Sequence, residues 1–308
     1  MLKYTVKRIL LMIPVIIGIT FLVHFILMVS PGDPAVMIVG PEASMEDIQA
    51  KRVEMGLDQP QLVQYLRYMW NALHGDFGTS WFQSFDVMTE FSHRLPYTLR
   101  LGFISIIWAI VLGIPLGVIS AVRHNGPVDY TLTVLSLLLV SAPAFWLGMM
   151  YQVFFSLNLR WLPASGAATW RHYVLPALSL GGGVFATNCR TTRTWLLDIL
   201  RSDFVRTARA KGNTEATVVF KHALRNSLLP VITQIGVNFS IIMGGSVITE
   251  TVYAFPGIGS YVINAVKAKD VPIVMGSILV VAVIVGLTNL VVDLLYAVVD
   301  PRVQYGGK

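Results

Sequence analysis

Long apolar runs separated by polar stretches dominate the chain, and the length of these runs predicts its fold. A bilayer core of about 30 Å needs about 20 helical residues at a rise of 1.5 Å each. Six segments of roughly this length carry few or no charged residues. The pattern therefore predicts six membrane-spanning helices, at residues 9–29, 101–122, 131–157, 173–193, 227–249 and 271–292.

The fourth predicted span is the least apolar of the six. Its uncharged run, 173–189, has only 17 residues, and Arg190 and Arg193 follow one turn apart. These two side chains either extend along apolar surface to the cytoplasmic interface or serve as substrate or gating charges. Prolines in three other spans are expected to kink their helices: Pro14, Pro115 and Pro143.

Composition favours a membrane protein over a soluble one. Of the 308 residues, 55% are hydrophobic and 13% are charged, whereas about 25% of a soluble domain is charged. The net charge of +6 also occurs in nucleic-acid-binding proteins, but these basic residues form no stripe with interleaved aromatic residues. Continuous apolar runs exclude a β-barrel, whose strands alternate. The predicted fold class is all-α, a polytopic membrane protein.

The distribution of Lys and Arg among the loops predicts the orientation of the chain. The N-terminus, the turn at Arg123, the segment 190–226 and the tail together hold 14 basic residues. The segments 30–95, 158–172 and 251–270 hold 8 over a longer stretch. We therefore expect the first set to be cytoplasmic and, with six spans, both termini to lie inside the cell.

Residues 30–95 form the long predicted external segment. They contain nine acidic and four basic residues, which is typical of a solvated face and also fits a mouth that attracts substrate. Apolar residues recur at helical spacing over Gln61–Leu73, which predicts an amphipathic helix. This helix either lies on the membrane surface or packs on the spans.

The polar segment between the fourth and fifth spans is too long for a simple turn. Residues 204–211 form one predicted helix, and Gly212 breaks the pattern. Asn213 or Thr214 can cap a second helix, 215–226. Two short helices that meet at a glycine predict a knob that protrudes into the cytoplasm. A basic loop held at the membrane surface by anionic lipid is the alternative interpretation.

Arg206–Gly212, followed after nine residues by His222–Asn226 and then by Leu229–Pro230, resembles the cytoplasmic loop of binding-protein-dependent ABC importer permeases. The form is that of the dipeptide, oligopeptide, nickel and glutathione permease group, and the chain looks like a first permease subunit. Other motifs of this group follow one another along nearly the whole chain: Pro31–Pro34, Gly56–Pro60, Gly75–Gly78, Arg94–Leu99, Glu250–Val252, Pro256–Gly259, Asp293–Tyr296 and Asp300–Arg302.

The resemblance implies a type I ABC importer architecture in one transmembrane domain, 1–308, with a coupling loop at 194–226. A short helix of this loop would sit in a cleft of an ATPase subunit, whose movement would rock the spans between inward-open and outward-open states. Gly212 would make the bend, because only glycine adopts positive φ without steric cost. Residues assigned to this contact are Arg206, Thr207, Ala208, Arg209, Ala210, Lys211, Gly212 and His222.

The small residues of this contact, Ala208 and Ala210, would permit close approach to the ATPase. The arginines, Arg206 and Arg209, would pair with acidic side chains of that partner. No Gly-x-x-x-x-Gly-Lys-Ser/Thr loop occurs in the sequence, so we expect neither catalytic residues nor ATP hydrolysis in this chain.

Six spans are half of the twelve usual in this group of importers. The resemblance therefore implies a second homologous permease subunit, two ATP-binding subunits that hold ATP and Mg²⁺, and an external substrate-binding protein. We expect the complex in the bacterial inner membrane, surrounded by lipid and without nucleic acid, and no cofactor in this chain.

Polar side chains inside the spans mark either helix–helix hydrogen bonds or a transport path. Candidates are His24, Gln152, Asn188, Asn238 and Asn289. We assign Asn188, Asn238 and Glu250 to a candidate substrate path, although Glu250 could instead pair with an arginine of a partner. No metal site is predicted, because the single cysteine, Cys189, lies in an apolar run and the spans hold no cluster of ligands.

The predicted function is ATP-driven import of di- or oligopeptides. Import of glutathione, nickel or a metallophore is the alternative within the same group. A secondary transporter driven by an ion gradient would typically show inverted repeats and carboxylates midway through its spans, and neither is found. A membrane enzyme is a third class, but no pair of acids or Ser/His/Asp arrangement stands out.

Overall fold

A computed structural model describes residues 2–299, with side chains except at 2–4, 225–233, 292, 293 and 295–299. The two ends of the chain, Met1 and 300–308, and with them the motif Asp300–Arg302, lie outside the described residues. So do several motif side chains: Arg225, Asn226, Leu229, Pro230, Asp293 and Tyr296.

Helices account for all the regular elements of residues 2–299, with one isolated bridge between Thr79 and Asp86. In chain order they are α1 Leu2–Val29, α2 Pro34–Val39, α3 Met45–Glu54, α4 Gln61–Leu73, α5 Val87–Val122, α6 Pro127–Ser141, α7 Ala144–Tyr151, α8 Arg171–Leu200, α9 Asp203–Ala210, α10 Glu215–Thr217, α11 Leu224–Val252, α12 Ile258–Ala268 and α13 Val271–Val299. Two π-helical segments extend α7 and α10, at Gln152–Asn158 and Val218–Ala223.

Four helices among the described residues are long and apolar enough to cross a membrane. They are Thr5–Val29, Val87–Val122, Gln234–Val252 and Val271–Val291. They overlap the first, second, fifth and sixth predicted spans. The total of six spans remains a prediction. At the third predicted span the helix is broken, and at the fourth it is too polar to be counted with these four.

The third predicted span is broken in its middle. α6 and the helix Ala144–Asn158 meet at an angle of 105°. The break lies at Pro143, and Ala142 before it is extended, with ψ 130°, because proline disfavours the α conformation of the preceding residue. The kink expected at this proline is confirmed, and it is sharp enough to divide the predicted span 131–157 into two helices.

The fourth predicted span belongs to a longer and more polar helix, α8. It continues beyond residue 193 to Leu200, and it is not among the helices of the described region that are apolar enough to span a membrane alone. The polar segment that follows therefore begins after Leu200, and the predicted coupling-loop start at 194 lies within the helix.

Glycines bring α5 and α8 into close contact. A Cβ atom on Gly117 would lie 2.6 Å from the carbonyl oxygen of Cys189, and one on Gly113 would lie 3.0 Å from that of Phe185. No side chain fits at such a distance, so the two backbones pack directly. The pair Gly113-x-x-x-Gly117 thus permits the close helix contact for which small residues four positions apart are typical.

The chain divides into two compact units, one built around Leu99–Phe255 and the other from Val6–Thr98 and Pro256–Gly286. In the second unit the predicted amphipathic helix is confirmed as α4, Gln61–Leu73. Buried Tyr65 donates a hydrogen bond to the carbonyl of Ile17 (3.0 Å), and its hydroxyl lies 3.0 Å from that of Thr20. The helix therefore packs on α1 through its apolar face.

In the second unit, the turn between α12 and α13 holds two parts of the segment 30–95. Lys269, in the left-handed conformation with φ 56°, donates from Nζ to the carbonyls of Ser30 and Gly32 at 2.8 Å each, and to that of Pro31. The next residue, buried Asp270, accepts a hydrogen bond from the Ser80 hydroxyl at 2.5 Å. Adjacent side chains thus fix segments far apart in sequence.

Asp270→Ala is expected to lower the free energy of unfolding by about 1.5–3 kcal/mol, because hydrogen bonds to a buried charged group contribute about that much. Denaturant titration of the purified chain in mixed micelles measures it. Glu54→Ala is the control, since the exposed Lys51–Glu54 pair contributes less than about 1 kcal/mol. Equal effects of the two substitutions would contradict the role of Asp270.

Candidate functional site

The segment 202–224, called the elbow here, forms two short helices joined at a glycine. α9 ends at Ala210, and Gly212 follows with φ +80°. The Thr214 hydroxyl then accepts a hydrogen bond from the Thr217 amide (3.3 Å) and caps α10. The bend at Gly212 and one of the two predicted caps are confirmed, while Asn213 instead donates to the Ala208 carbonyl.

The second helix of the elbow differs from its prediction. The α-helical part is only Glu215–Thr217, and a π-helical segment, Val218–Ala223, leads into α11. The predicted helix over 215–226 is therefore present as a helical run, but its middle part is π-helical and it continues into α11 without a break. His222 lies in the π-helical segment and is half-buried, so this predicted contact residue offers only part of its surface.

Buried apolar side chains anchor the elbow to the ends of α5 and α8. Val205, Val218 and Ala223 are fully buried in one cluster with Leu196. Ala208 belongs to the same cluster and is only 7% exposed. Its small side chain therefore packs within this chain and offers no surface to a partner, in contrast to the close-approach role expected for it.

The other face of α9 is exposed and polar. Arg206 lies 3.6 Å from Asp203, and Arg209 donates to Glu215 at 2.8 Å. Because these carboxylates are exposed, each ion pair contributes less than about 1 kcal/mol, and either arginine can exchange its acid for one on another protein. The accessible residues of the predicted contact are Arg206, Thr207, Arg209, Ala210, Lys211 and Gly212.

Two aromatic side chains of the elbow escaped the sequence analysis. Phe204 is 47% exposed and Phe220 is 62% exposed. Exposed aromatic residues beside basic ones are typical of protein interfaces. Val205 and Ala208 form the buried face of α9, and Phe204 lies outside their helical spacing. That position could have indicated from the sequence that Phe204 is exposed.

The first unit also contains an ion pair with a buried carboxylate. Asp129, 2% exposed, accepts from both Nε (2.6 Å) and Nη2 (2.8 Å) of Arg193. The carboxylate also accepts hydrogen bonds from the Ser120 hydroxyl at 2.5 Å and from the Asn125 amide at 3.0 Å. This ion pair joins α6 and α8. Arg193 thus binds a carboxylate of its own chain, whereas Arg190 is exposed.

The candidate substrate-path residues do not form one site. Asn238 donates to the Asn188 side-chain oxygen at 3.0 Å, and both side chains are buried. They therefore link α8 and α11, as expected for polar residues inside spans. Glu250 is fully buried at 0% exposure, so its predicted contact with a substrate or a partner's arginine is not available in this conformation.

A cavity of about 280 Å³ lies beside the break between α6 and α7. Small and polar side chains line it, among them Ser179, Gly183, Thr187 and Asn238. Asn238 is thus the one assigned path residue that lines this cavity. Such a surface, apolar with a few hydroxyl and amide groups, can accommodate a polar solute without a fixed charge.

Comparison with known proteins identifies the family of this chain. Residues 113–305 match the family described as "Binding-protein-dependent transport system inner membrane component". Residues 1–102 match the corresponding N-terminal family of the same transport systems. The chain belongs to this permease family. It is accordingly a multi-pass component of the inner membrane, and the resemblance inferred from the elbow motif is confirmed.

Relatives of this permease align over its full length. The "Glutathione transport system permease protein GsiC" of Escherichia coli (strain K12) is 42% identical over 305 residues, which cover 99% of this chain and 100% of that protein. The protein of the same name from Salmonella paratyphi A is equally similar. The permease is therefore a transport subunit of an ABC importer of the peptide and glutathione group.

The fold of the permease is also found in a solved transporter. A crystal structure of the MetNI methionine ABC transporter in an inward-facing conformation matches with a TM-score of 0.57 and 19% identity. The match covers 69% of this chain and 97% of that one. At this identity the similarity concerns the fold alone.

Proposed function

We propose that this permease is one of two membrane subunits of an importer for short peptides, driven by ATP that separate subunits hydrolyse. The observation that carries the proposal is the elbow, in which a buried apolar face supports an exposed polar one. A mechanical contact needs both features. The buried face transmits movement to α5 and α8, and the exposed face is free to bind a motor subunit.

The proposed topology has six spans and places both termini and the elbow in the cytoplasm. The third span is then the broken pair α6–α7, and α8 is the fourth, enclosed by other helices rather than by lipid. The burial of most of one face of α8 supports this assignment. The proposed complex holds a second homologous permease, two ATPase subunits with ATP and Mg²⁺, and an external binding protein.

Glutathione is the second candidate substrate, because the curated relatives at 42% identity are named as glutathione permeases. It is itself a short peptide, so the two candidates differ in size and charge rather than in chemical class. Uptake into sealed vesicles that contain the whole complex distinguishes them. We expect labelled dipeptide to accumulate only with ATP. Accumulation of glutathione alone would identify the second candidate, and uptake without ATP would contradict both.

Two alanines on α9 provide a matched test of the proposed contact. Ala210→Leu adds its bulk on the exposed face, so ATP-dependent uptake is expected to fall at least tenfold while stability is kept. Ala208→Leu makes the same change in the buried cluster, where overpacking costs about 1–3 kcal/mol. Uptake assays and denaturant titration of both variants measure this difference. Unchanged uptake by Ala210→Leu would contradict the contact.

A further inference from the structure

The second unit contains a cavity of about 550 Å³ that the proposed transport mechanism does not use. Parts of α1, α3, α4 and the start of α13 enclose it, together with the loops at residues 55–59 and 78–81. Its volume lies in the range of small-molecule sites. The proposed topology places it in the external segment, in a different unit from the elbow and from the Asn238 cavity.

Two buried polar side chains line this cavity without partners of their own. His24 is 4% exposed, and neither ring nitrogen makes a hydrogen bond to any described residue, although the Gln61 backbone approaches the ring. The Tyr68 hydroxyl is likewise buried and unpaired among the described residues. Each such group costs about 1–3 kcal/mol unless something binds it.

Burial, reinforced by nearby Asp76, raises the pKa of Tyr68. Its hydroxyl therefore stays protonated at neutral pH and can donate a hydrogen bond into the cavity. His24 packs against the Tyr65 ring, with 5.8 Å between ring centroids. Hydrogen-bond donor and acceptor groups are thus available on one wall of a cavity that is open to solvent.

Charges of opposite sign also line the cavity. Asp58 and Arg67 both border it, and neither forms an ion pair or hydrogen bond with another described side chain. The third charged residue, Glu54, is already paired with Lys51 at 2.7 Å. The Arg67 guanidinium lies 4.0 Å from the point where Gly56 would carry a Cβ, so it reaches the loop at residues 55–59.

We propose that this cavity binds a small zwitterion of dipeptide size. The ammonium group would lie near Asp58 and the carboxylate near Arg67, while His24 and Tyr68 would bind the polar atoms between them. The ligand class follows from a free acid and a free base on the same cavity. The proposal rests on the proposed function in one respect only, namely that the cavity faces the outer side of the membrane.

Titration of the purified full chain in lipid nanodiscs with alanylalanine tests the proposal, without ATP or partner subunits. Isothermal calorimetry gives the affinity, and the fluorescence of Trp81, which lines the cavity, reports the place of binding by comparison with Trp81→Phe. We expect saturable binding at millimolar concentrations or below. We also expect a fluorescence change that Trp81→Phe removes.

Charge-matched ligands and variants make the test specific. Asp58→Asn is expected to weaken binding of alanylalanine at least tenfold but to leave N-acetyl-alanylalanine unaffected, because that ligand has no ammonium group. Arg67→Gln should likewise weaken binding of alanylalanine at least tenfold. It should leave binding of alanylalanine amide unaffected, because that ligand has no carboxylate. Glu46→Gln is the control, since Glu46 is an exposed acid of α3 that does not line the cavity.

Absence of saturable binding, or equal affinities in all variants, would overturn the proposal. Calorimetric binding with no response from Trp81 would place the ligand elsewhere and would equally overturn it. Because these measurements need no ATPase, their failure leaves ATP-dependent uptake as a separate result. Loss of uptake activity in the full complex would in turn leave the binding result unaffected.

Discussion

Replacing Gly212 with valine is expected to abolish ATP-dependent uptake while the chain still inserts into the membrane. Gly212 has φ +80°, a conformation that costs an L-residue roughly 1–2 kcal/mol and a β-branched one more. This penalty is small beside the 5–15 kcal/mol that stabilise a domain, so the fold survives. We expect the turn to relieve the strain locally, so that the exposed face of α9 moves away from the proposed contact.

Gly75 offers a matched control for this experiment. Its φ of +84° is almost the same, and a Cβ at either glycine would meet no atom within 4 Å. Gly75→Val therefore introduces the same strain in the predicted external segment, and we expect uptake close to that of the unmodified chain. Uptake assays on vesicles matched for the amount of inserted permease measure both variants. Equal loss in both would indicate general destabilisation rather than a coupling role for Gly212.

Asp129→Ala is expected to have the largest effect on stability. The substitution leaves Arg193, whose own side chain is 25% exposed, without its buried carboxylate partner. Because water reaches part of the guanidinium, we expect a loss of at most about 3–5 kcal/mol, which is the cost of removing one partner of a fully buried ion pair. Denaturant titration in mixed micelles measures this loss. The elbow packs on the same helix α8 through Leu196, so we also expect reduced uptake.

A double-mutant cycle separates the ion pair from other effects at Asp129. Arg193→Ala alone should destabilise the chain, and the double variant should lose less than the sum of the two single losses, because no unpaired charge remains. Asp203→Ala is the comparison on an exposed pair, with an expected loss below about 1 kcal/mol. Strict additivity in the cycle would contradict an energetic link between Asp129 and Arg193.

Several helix ends, caps and bends that depend on neighbouring residues were predicted correctly from the sequence. The bounds of α4 were predicted from apolar spacing alone. The bend at Gly212 was predicted from residue type, and so was Thr214 as one of two candidate caps. Each depends on residues a few positions apart, whose conformational preferences act before any tertiary contact forms. The same holds for Pro143, although the size of the bend, 105°, depends on packing.

Features that depend on residues far apart in sequence could not be predicted from local patterns. Nothing in the sequence pairs Asp129 with Arg193, which lie 64 positions apart, so the arginine alone left two interpretations open. The burial of Ala208 depends on Val118 and Leu196, which the helical pattern of α9 does not contain. Polar α8 could not be recognised as enclosed, because hydropathy measures contact with lipid and not with neighbouring helices.

The sidedness of the elbow is the measurement that tests the account most directly. The chain has one cysteine, Cys189, which is buried, so a Cys189→Ser background permits single-cysteine labelling. Lys211→Cys in the elbow and Met45→Cys in α3 are both exposed positions. With an impermeant maleimide, we expect inverted vesicles to label only Lys211→Cys, and ATPase subunits to protect it. Labelling of Lys211→Cys from the outer side of intact cells would contradict the account.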